Sequence, residues 1–390
     1  MKKKLFGLIV FVAFLAFFFA SYYVSPPEKT YADELSDGIQ DELENLDLSE
    51  LERFYNENVK TGDVNFTDAI KNLLEGKYEF DYGSLLDYSF KVALGDVFRM
   101  LPTFLTVIAI CVLCTLLAGV KGSFFDEGIA EIIFFVCSLC VVLLLSTEIL
   151  AIWQSSQKAI ENIAILCEIM SPVILTLMIA SGGTVSASVY KPSVLFLSGG
   201  VIGIISDVIF PLVGIMIIFS VVNAFSRSVK LNKFSDGIAG AIKWIIGLSF
   251  TVYGLFLSVQ GITSATFDGI SLKAAKYAIS NSVPIVGGYI RDGFDLVVAG
   301  SVLIKNAVGI TGVFALFFVL LSPIVQIASA SVLLRLTSGF VGAIAPDASA
   351  SALCSELNKG TNYIAAAVLC SGLAFFVTVL LMIFSANAFI

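Results

Sequence analysis

Apolar stretches follow one another almost without interruption from residue 100 to residue 390, and this pattern restricts the fold more than any other feature. The chain is 57% apolar, which is more apolar surface than a soluble core of this length needs. Stretches of about 20 apolar residues cross a bilayer as helices. The sequence therefore predicts an all-α polytopic integral membrane protein.

Histidine is absent from the whole chain. This absence excludes Ser-His-Asp and Cys-His triads, HExxH zinc sites and histidine proton relays. The sequence also contains no P-loop, no GxSxG and no GxGD motif. We predict a protein that is not an enzyme and that binds no cofactor.

Residues 1–32 have the order of a secretory signal peptide. Basic residues 1–4 precede the apolar run 5–20, and Ala32 is a small residue suited to the position before a cleavage site. We predict a signal peptide over residues 1–32, with an uncleaved N-terminal anchor as the alternative. In both cases the chain from residue 33 onward starts outside the cytoplasm.

Residues 33–101 form a predicted acidic extracytoplasmic segment. Residues 33–99 carry 17 Asp and Glu against 6 Lys and Arg, whereas residues 100–390 carry 13 of each. Because the acidic surplus lies in one outer segment, nucleic acid is a poor candidate partner.

Apolar residues at helical spacing predict three helices in this segment, over residues 35–54, 66–76 and 84–101. The third is expected to end at Pro102 and to lie along the membrane surface, or else to be an ordinary soluble helix.

Seven apolar runs follow within residues 102–390, the predicted transmembrane domain, over 103–120, 129–151, 163–180, 194–222, 239–260, 296–334 and 363–388. Residues 194–222 would extend about 43 Å as a helix, against a hydrocarbon core of about 30 Å. We predict a broken helix or tight hairpin there, two passes for 296–334, and seven or eight passes in all. Counting 194–222 twice also places Arg227, Lys230 and Lys233 in the cytoplasm, as the positive-inside rule favours.

Three stretches rich in Gly, Ser and Pro interrupt the apolar runs, over residues 181–192, 259–281 and 284–309. Such backbone persists at membrane depth only where protein buries it or water reaches it, so these stretches are candidates for re-entrant loops along a polar path. The alternative is surface loops and small residues for close helix packing. The candidate residues are Ser181, Gly182, Gly183, Asp207, Gln260, Asp268, Lys276, Asn281, Pro284, Gly287, Asp292, Asp295, Lys305 and Asn306.

Asp207, Lys243 and Lys305 sit within or at the edge of apolar runs. At a lipid-facing mid-helix position each costs about 2.5–3.5 kcal/mol, so we expect them to face the interior or to extend towards the interface. Asp295 and Lys305 are ten residues apart and could share a helix face, as an ion pair or as an ion relay.

Cysteines occur as two CxxC pairs, Cys111/Cys114 and Cys137/Cys140, on successive apolar runs. No charged or other ligating residue flanks them, so we interpret them as small residues that pack helix against helix and predict no metal site.

At its polar stretches the sequence resembles the stage III sporulation protein AE family of endospore-forming bacteria. The order of signal peptide, short acidic segment and many spans also agrees. The residues that carry the resemblance are the 181–192 segment, Ser258-Val259-Gln260-Gly261, Asp268-Gly269, Ala275-Lys276, Asn281, residues 284–287, Asp292, Asp295 and residues 303–309.

The resemblance implies a membrane subunit of a sporulation complex between mother cell and forespore, acting as a secretion-like channel or feeding tube required for late forespore development. It implies a multi-pass location in the mother-cell membrane around the forespore. The implied partners are other stage III sporulation A-operon membrane proteins, membrane lipid and, indirectly, the forespore stage II sporulation protein Q.

An autonomous secondary transporter for a small solute is the alternative function. Broken helices and charges within the membrane suit a transporter. The acidic outer segment suits an assembly subunit instead.

Overall fold

The computed structural model describes residues 46–59, 66–74, 82–119, 127–225, 231–282, 287–344 and 349–385. These residues are helical apart from short turns, and no strand occurs among them. The predicted signal peptide and most of the predicted 35–54 helix lie outside the described residues. Two short helices come first, α1 (Ser49–Asn58) and α2 (Phe66–Leu74), and α2 confirms the second predicted helix of the acidic segment.

Six long apolar helices follow among the described residues, each able to cross a membrane by length and composition. This confirms the all-α polytopic class, although the number differs from the seven or eight predicted passes. The helices are α3 (Tyr82–Gly119), α4 (Glu127–Ala180), a run from α5 (Thr184–Leu195) to α6 (Phe210–Phe225), α7 (Asn232–Ser282), α8 (Gly287–Ile344) and α9 (Ser349–Ser385).

The predicted spans 129–151 and 163–180 are one continuous helix, α4. Between them Ile152, Ser156 and Ile160 are buried at four-residue spacing, while Gln154, Gln157, Lys158 and Glu161 are exposed. The segment is therefore an amphipathic continuation of the helix, not a loop. With the acidic segment outside, joining the two spans places the basic residues after α6 in the cytoplasm without any hairpin in 194–222.

The hairpin predicted within 194–222 is also wrong, because α5 and α6 belong to one run. Two π-helical segments, Phe196–Ile202 and Ile205–Ile209, connect them. A π-turn takes in an extra residue and disturbs the α-helical hydrogen-bond pattern without reversing the chain. The predicted break is present in this form.

Two prolines, Pro102 and Pro323, lie inside helices that they do not end. Helix α3 continues through Pro102, where the 84–101 helix was expected to end, and α8 continues through Pro323 and makes one pass instead of two. A proline removes one backbone N–H, and packed membrane helices tolerate that loss where neighbouring groups bond the freed carbonyl or make up for it.

Helix α8 occupies the centre of the bundle and packs against α3, α4, α7 and α9, and also against α1 and α2. Glycines permit the closest approaches. A Cβ built at Gly372 of α9 would lie 2.6 Å from Leu320 Cδ1 of α8. One at Gly360 of α9 would lie 2.8 Å from Ile217 Cγ1 of α6. Small residues let membrane helices approach closely enough for dispersion forces to hold them.

Candidate functional site

A tight turn of Ser181, Gly182 and Gly183 joins α4 to α5. Gly183 N–H donates to the Met178 carbonyl at 2.8 Å and Gly182 N–H to the Ile179 carbonyl at 2.9 Å, the hydrogen bonds of a Schellman C-cap. Gly182 has φ +86°, a left-handed conformation that favours glycine. Residues 181–183 thus end one helix and orient the next.

Asp268 of α7 caps the N-terminus of α5 from 83 residues away. Val185 N–H donates to Oδ1 at 2.9 Å and Ser186 N–H to Oδ2 at 3.0 Å. The residue at the N-cap position, Gly183, has no side chain to accept these bonds, and Asp268 supplies both acceptors. The positive end of the helix dipole also favours a carboxylate there, which makes full burial of Asp268 tolerable.

Leu272, one turn after Asp268, packs against the same turn. A Cβ built at Gly182 would lie 2.5 Å from Leu272 Cδ1. The left-handed backbone at Gly182 therefore favours glycine, and an added Cβ would also displace the Leu272 side chain. We call Ser181, Gly182, Gly183, Asp268 and Leu272 the capping junction.

Lys276 lies about two turns after Asp268 on α7. Its Nζ forms an ion pair with Oδ1 of Asp295 on α8, at 2.6 Å. The two side chains are 24% and 36% exposed. A direct ion pair of Asp295 with Lys305, one of the arrangements left open for these two residues, does not form, because about 15 Å of continuous helix separates their Cα atoms along the axis.

Lys305 is fully buried, and its Nζ donates to the Ile383 carbonyl in the last described turn of α9 at 2.8 Å. The ammonium group therefore complements the negative end of the α9 dipole and ties α9 to α8. The expectation that this side chain faces the interior is confirmed. The neighbouring Asn306 is partly buried, and its Oδ1 has no hydrogen-bond partner among the described residues.

Of the two placements expected for charges in apolar runs, Asp207 does not take the interior one. Its side chain is exposed on the outside of the second π-helical segment. Lys243 is exposed as well, with Nζ 5.9 Å from the centre of the Tyr363 ring.

The structure shows less about the surroundings of the remaining candidate residues. Gln260, Asn281, Gly287 and Asp292 lie on α7 or α8, and the structure describes their backbone only. Pro284 lies outside the described residues. The described candidates form three separate contacts between helices, the capping junction, the Lys276–Asp295 pair and the Lys305–Ile383 bond, and do not converge on one pocket.

Sequence reasoning missed several polar contacts made by hydroxyl groups within apolar helices. Thr103 Oγ1 donates to Glu148 Oε1 at 2.8 Å between α3 and α4, and Tyr253 of α7 hydrogen-bonds Thr378 of α9. A Ser or Thr every few turns was the only available signal, and such residues also occur at lipid-facing positions.

The cysteines do not form a ready metal site. Cys111 and Cys114 are buried, whereas Cys140 is exposed. Within the part of the chain that the structure describes, no group of three or more Cys, Asp and Glu side chains could hold a metal ion.

Comparison with known proteins shows which protein family the chain resembles. The family model for stage III sporulation protein AE matches residues 64–386. Stage III sporulation protein AE of Bacillus subtilis (strain 168) is 25% identical over 282 residues, covering 72% of this chain and 70% of that protein. No solved structure matches the chain.

Proposed function

The chain belongs to the family of stage III sporulation protein AE, and on this basis we propose that it is a membrane subunit of a transenvelope complex between mother cell and forespore. The complex would act as a secretion-like channel or feeding tube that supports late forespore development. The observation that carries the proposal is the family match over residues 64–386, which takes in every described helix from α2 to α9.

The polar contacts support a structural part in that complex and not a catalytic one. Each carboxylate oxygen of Asp268 accepts a hydrogen bond from a backbone N–H group, and Lys305 Nζ donates to a carbonyl near the end of α9. Both groups hold helices in place. We propose a non-enzymatic scaffold in the mother-cell membrane, or part of the wall of a pore.

The proposed partners are other stage III sporulation A-operon membrane proteins and, indirectly, the forespore stage II sporulation protein Q. Helices α1 and α2 belong to the acidic segment and pack on α4 and α8. Asn162 Nδ2 of α4 donates to Asn58 Oδ1 of α1 at 3.1 Å. A short helical unit held on the bundle in this way suits contact with partners outside the membrane.

A clean deletion of the gene in the native organism tests the proposal, scored by microscopy and by a late forespore reporter. We expect arrest after engulfment, a small collapsing forespore and a silent reporter, with all three reversed by the intact gene at another locus. Normal spores would refute a sporulation role for this chain.

A secondary transporter remains the second candidate, favoured by the π-helical segments within one span and the fully buried Lys305. The purified chain in liposomes separates the two functions. A lone scaffold subunit should transport no solute, whereas saturable, solute-specific flux would establish the transporter.

A further inference from the structure

An exposed stripe runs along the α5–α6 run and is apolar except at one position. Its residues, which we call the Asp207 face, are Leu195, Gly199, Asp207, Pro211, Ile215 and Ile218. Leu195 is 66% exposed and Ile218 is 59% exposed. A helix in lipid presents exposed apolar residues of this kind. A carboxylate is not expected on the same face.

The position of Asp207 leaves it no route to water along its own helix. It lies near the middle of the apolar run 194–222, about 20 Å from either end. An aspartate side chain is too short to reach the interface from that depth, unlike lysine or arginine. No hydrogen bond or ion pair reaches its carboxylate from the part of the chain that the structure describes.

We infer that the Asp207 face docks a membrane-spanning helix of a different protein, one that places a lysine or arginine against Asp207. This rests on the proposed function, because it names the chemistry of one partner within the complex. Charge complementarity selects a basic side chain over a neutral one in a medium of low dielectric constant.

Gly199 supports a helix as the docked element. A Cβ built at Gly199 meets nothing within 4 Å, so the backbone there is open to close approach from outside. Small residues facing outward are the usual contact points of helix pairs in membranes. A second copy of this chain fits less well, since a two-fold contact through this face would bring Asp207 against Asp207.

Three variants of the full-length chain in sporulating cells of the native organism test the inference. Asp207→Leu should reduce the recovery of the basic partner in detergent-solubilised complexes by roughly thirtyfold or more. Asp207→Glu keeps the charge and should retain most of the partner. Asp236→Leu makes the same change at an exposed position near the start of α7 and is the matched control. Immunoblots establish that all variants reach the membrane in equal amounts.

Photo-crosslinking from Val208, which is 41% exposed beside Asp207, identifies the neighbour even if Asp207→Leu fails to accumulate. Leu248 of α7, which is 59% exposed, is the control position. We expect an adduct from position 208 with a helix of another protein that carries Lys or Arg. Replacing that basic residue by Asp should restore heat-resistant spores to an Asp207→Lys strain.

Three results would overturn the inference. They are an Asp207→Leu strain that sporulates normally, an adduct from position 208 with a second copy of this chain, and an adduct with lipid alone. The deletion test keeps this inference separate from the proposed function. Normal spores after deletion refute the sporulation role, whereas arrest after deletion with normal spores from Asp207→Leu refutes only the docking of a basic helix.

Discussion

Helix α7 is tied to its neighbours by two charged contacts only eight residues apart, and they differ in kind. Asp268 is fully buried and accepts hydrogen bonds from two backbone N–H groups of α5. Lys276 is 24% exposed and meets Asp295, which is 36% exposed, at 2.6 Å. One contact joins a side chain to a fixed backbone in the interior, and the other joins two movable side chains at the surface.

The difference shows which charge the fold depends on. The N–H groups of α5 are fixed in the helix, so loss of the Asp268 carboxylate leaves the buried Ser186 N–H and the partly buried Val185 N–H without an acceptor. Lys276 and Asp295 are both partly exposed, so solvent can replace part of what the pair contributes, although the Asp295 Oδ1 atom is buried. A short ion-pair distance therefore says less about stability than the mobility and burial of the groups involved.

Asp268→Ala should have the largest effect. Removing the cap leaves one buried and one partly buried donor unsatisfied and should lower the free energy of unfolding by about 2–5 kcal/mol. Thermal unfolding of the detergent-purified chain, followed by circular dichroism at the helical band, measures the loss. Asp268→Asn, which keeps one acceptor, should fall between Asp268→Ala and wild type.

Asp236→Ala is the control for Asp268→Ala, since Asp236 is exposed and should unfold as wild type does. If Asp268→Ala and Asp236→Ala unfold at the same temperature, the cap makes no difference to stability and the comparison between the two contacts fails.

Gly182→Ala should come second. An alanine at φ +86° costs about 1–2 kcal/mol in backbone strain, and its methyl group would also displace Leu272. The same unfolding experiment applies, with Gly254→Ala as the matched control. Gly254 is helical and its added Cβ meets nothing within 4 Å, so that variant should be neutral or slightly stabilising.

Adding Leu272→Ala separates the two costs of Gly182→Ala. The steric part should be relieved in the double variant, whereas the backbone strain should persist. Additive losses would mean that α7 does not press against the turn.

The capping junction shows which features of the site the sequence could predict and which it could not. The Gly182-Gly183 pair predicts irregular backbone between two apolar runs, and Asp268 stands out as a polar residue in a second stretch. Nothing in either segment predicts that they meet, because a cap normally comes from the residue just before its helix. Here the cap comes from α7, and only tertiary packing brings the two together.

The sequence also failed to predict where a helix is continuous. Hydropathy averaged along the chain records the polar side chains of residues 152–162 as a break in α4. The buried set of Ile152, Ser156 and Ile160 keeps helical spacing through the same residues. The averaged hydropathy indicates a break, whereas the spacing of the buried residues indicates a continuous helix. The spacing of the buried residues predicted the backbone correctly. For α2 the hydropathy and the residue spacing agreed, and that helix was predicted correctly.

The Lys276–Asp295 pair should have the smallest effect and makes the comparison quantitative. A double-mutant cycle of Lys276→Met and Asp295→Asn should give a coupling energy of about 0.2–1 kcal/mol, because partly exposed ion pairs gain little beyond what water offers. Raising the salt concentration should reduce that coupling further, whereas the loss caused by Asp268→Ala should change little, since burial shields the cap from mobile ions. The cycle and the Asp268→Ala variant are both measured by thermal unfolding at low and high salt. A coupling as large as the Asp268→Ala loss would mean that the ion pair is screened from water in the assembled bundle, and exposure would then be the wrong guide to its strength.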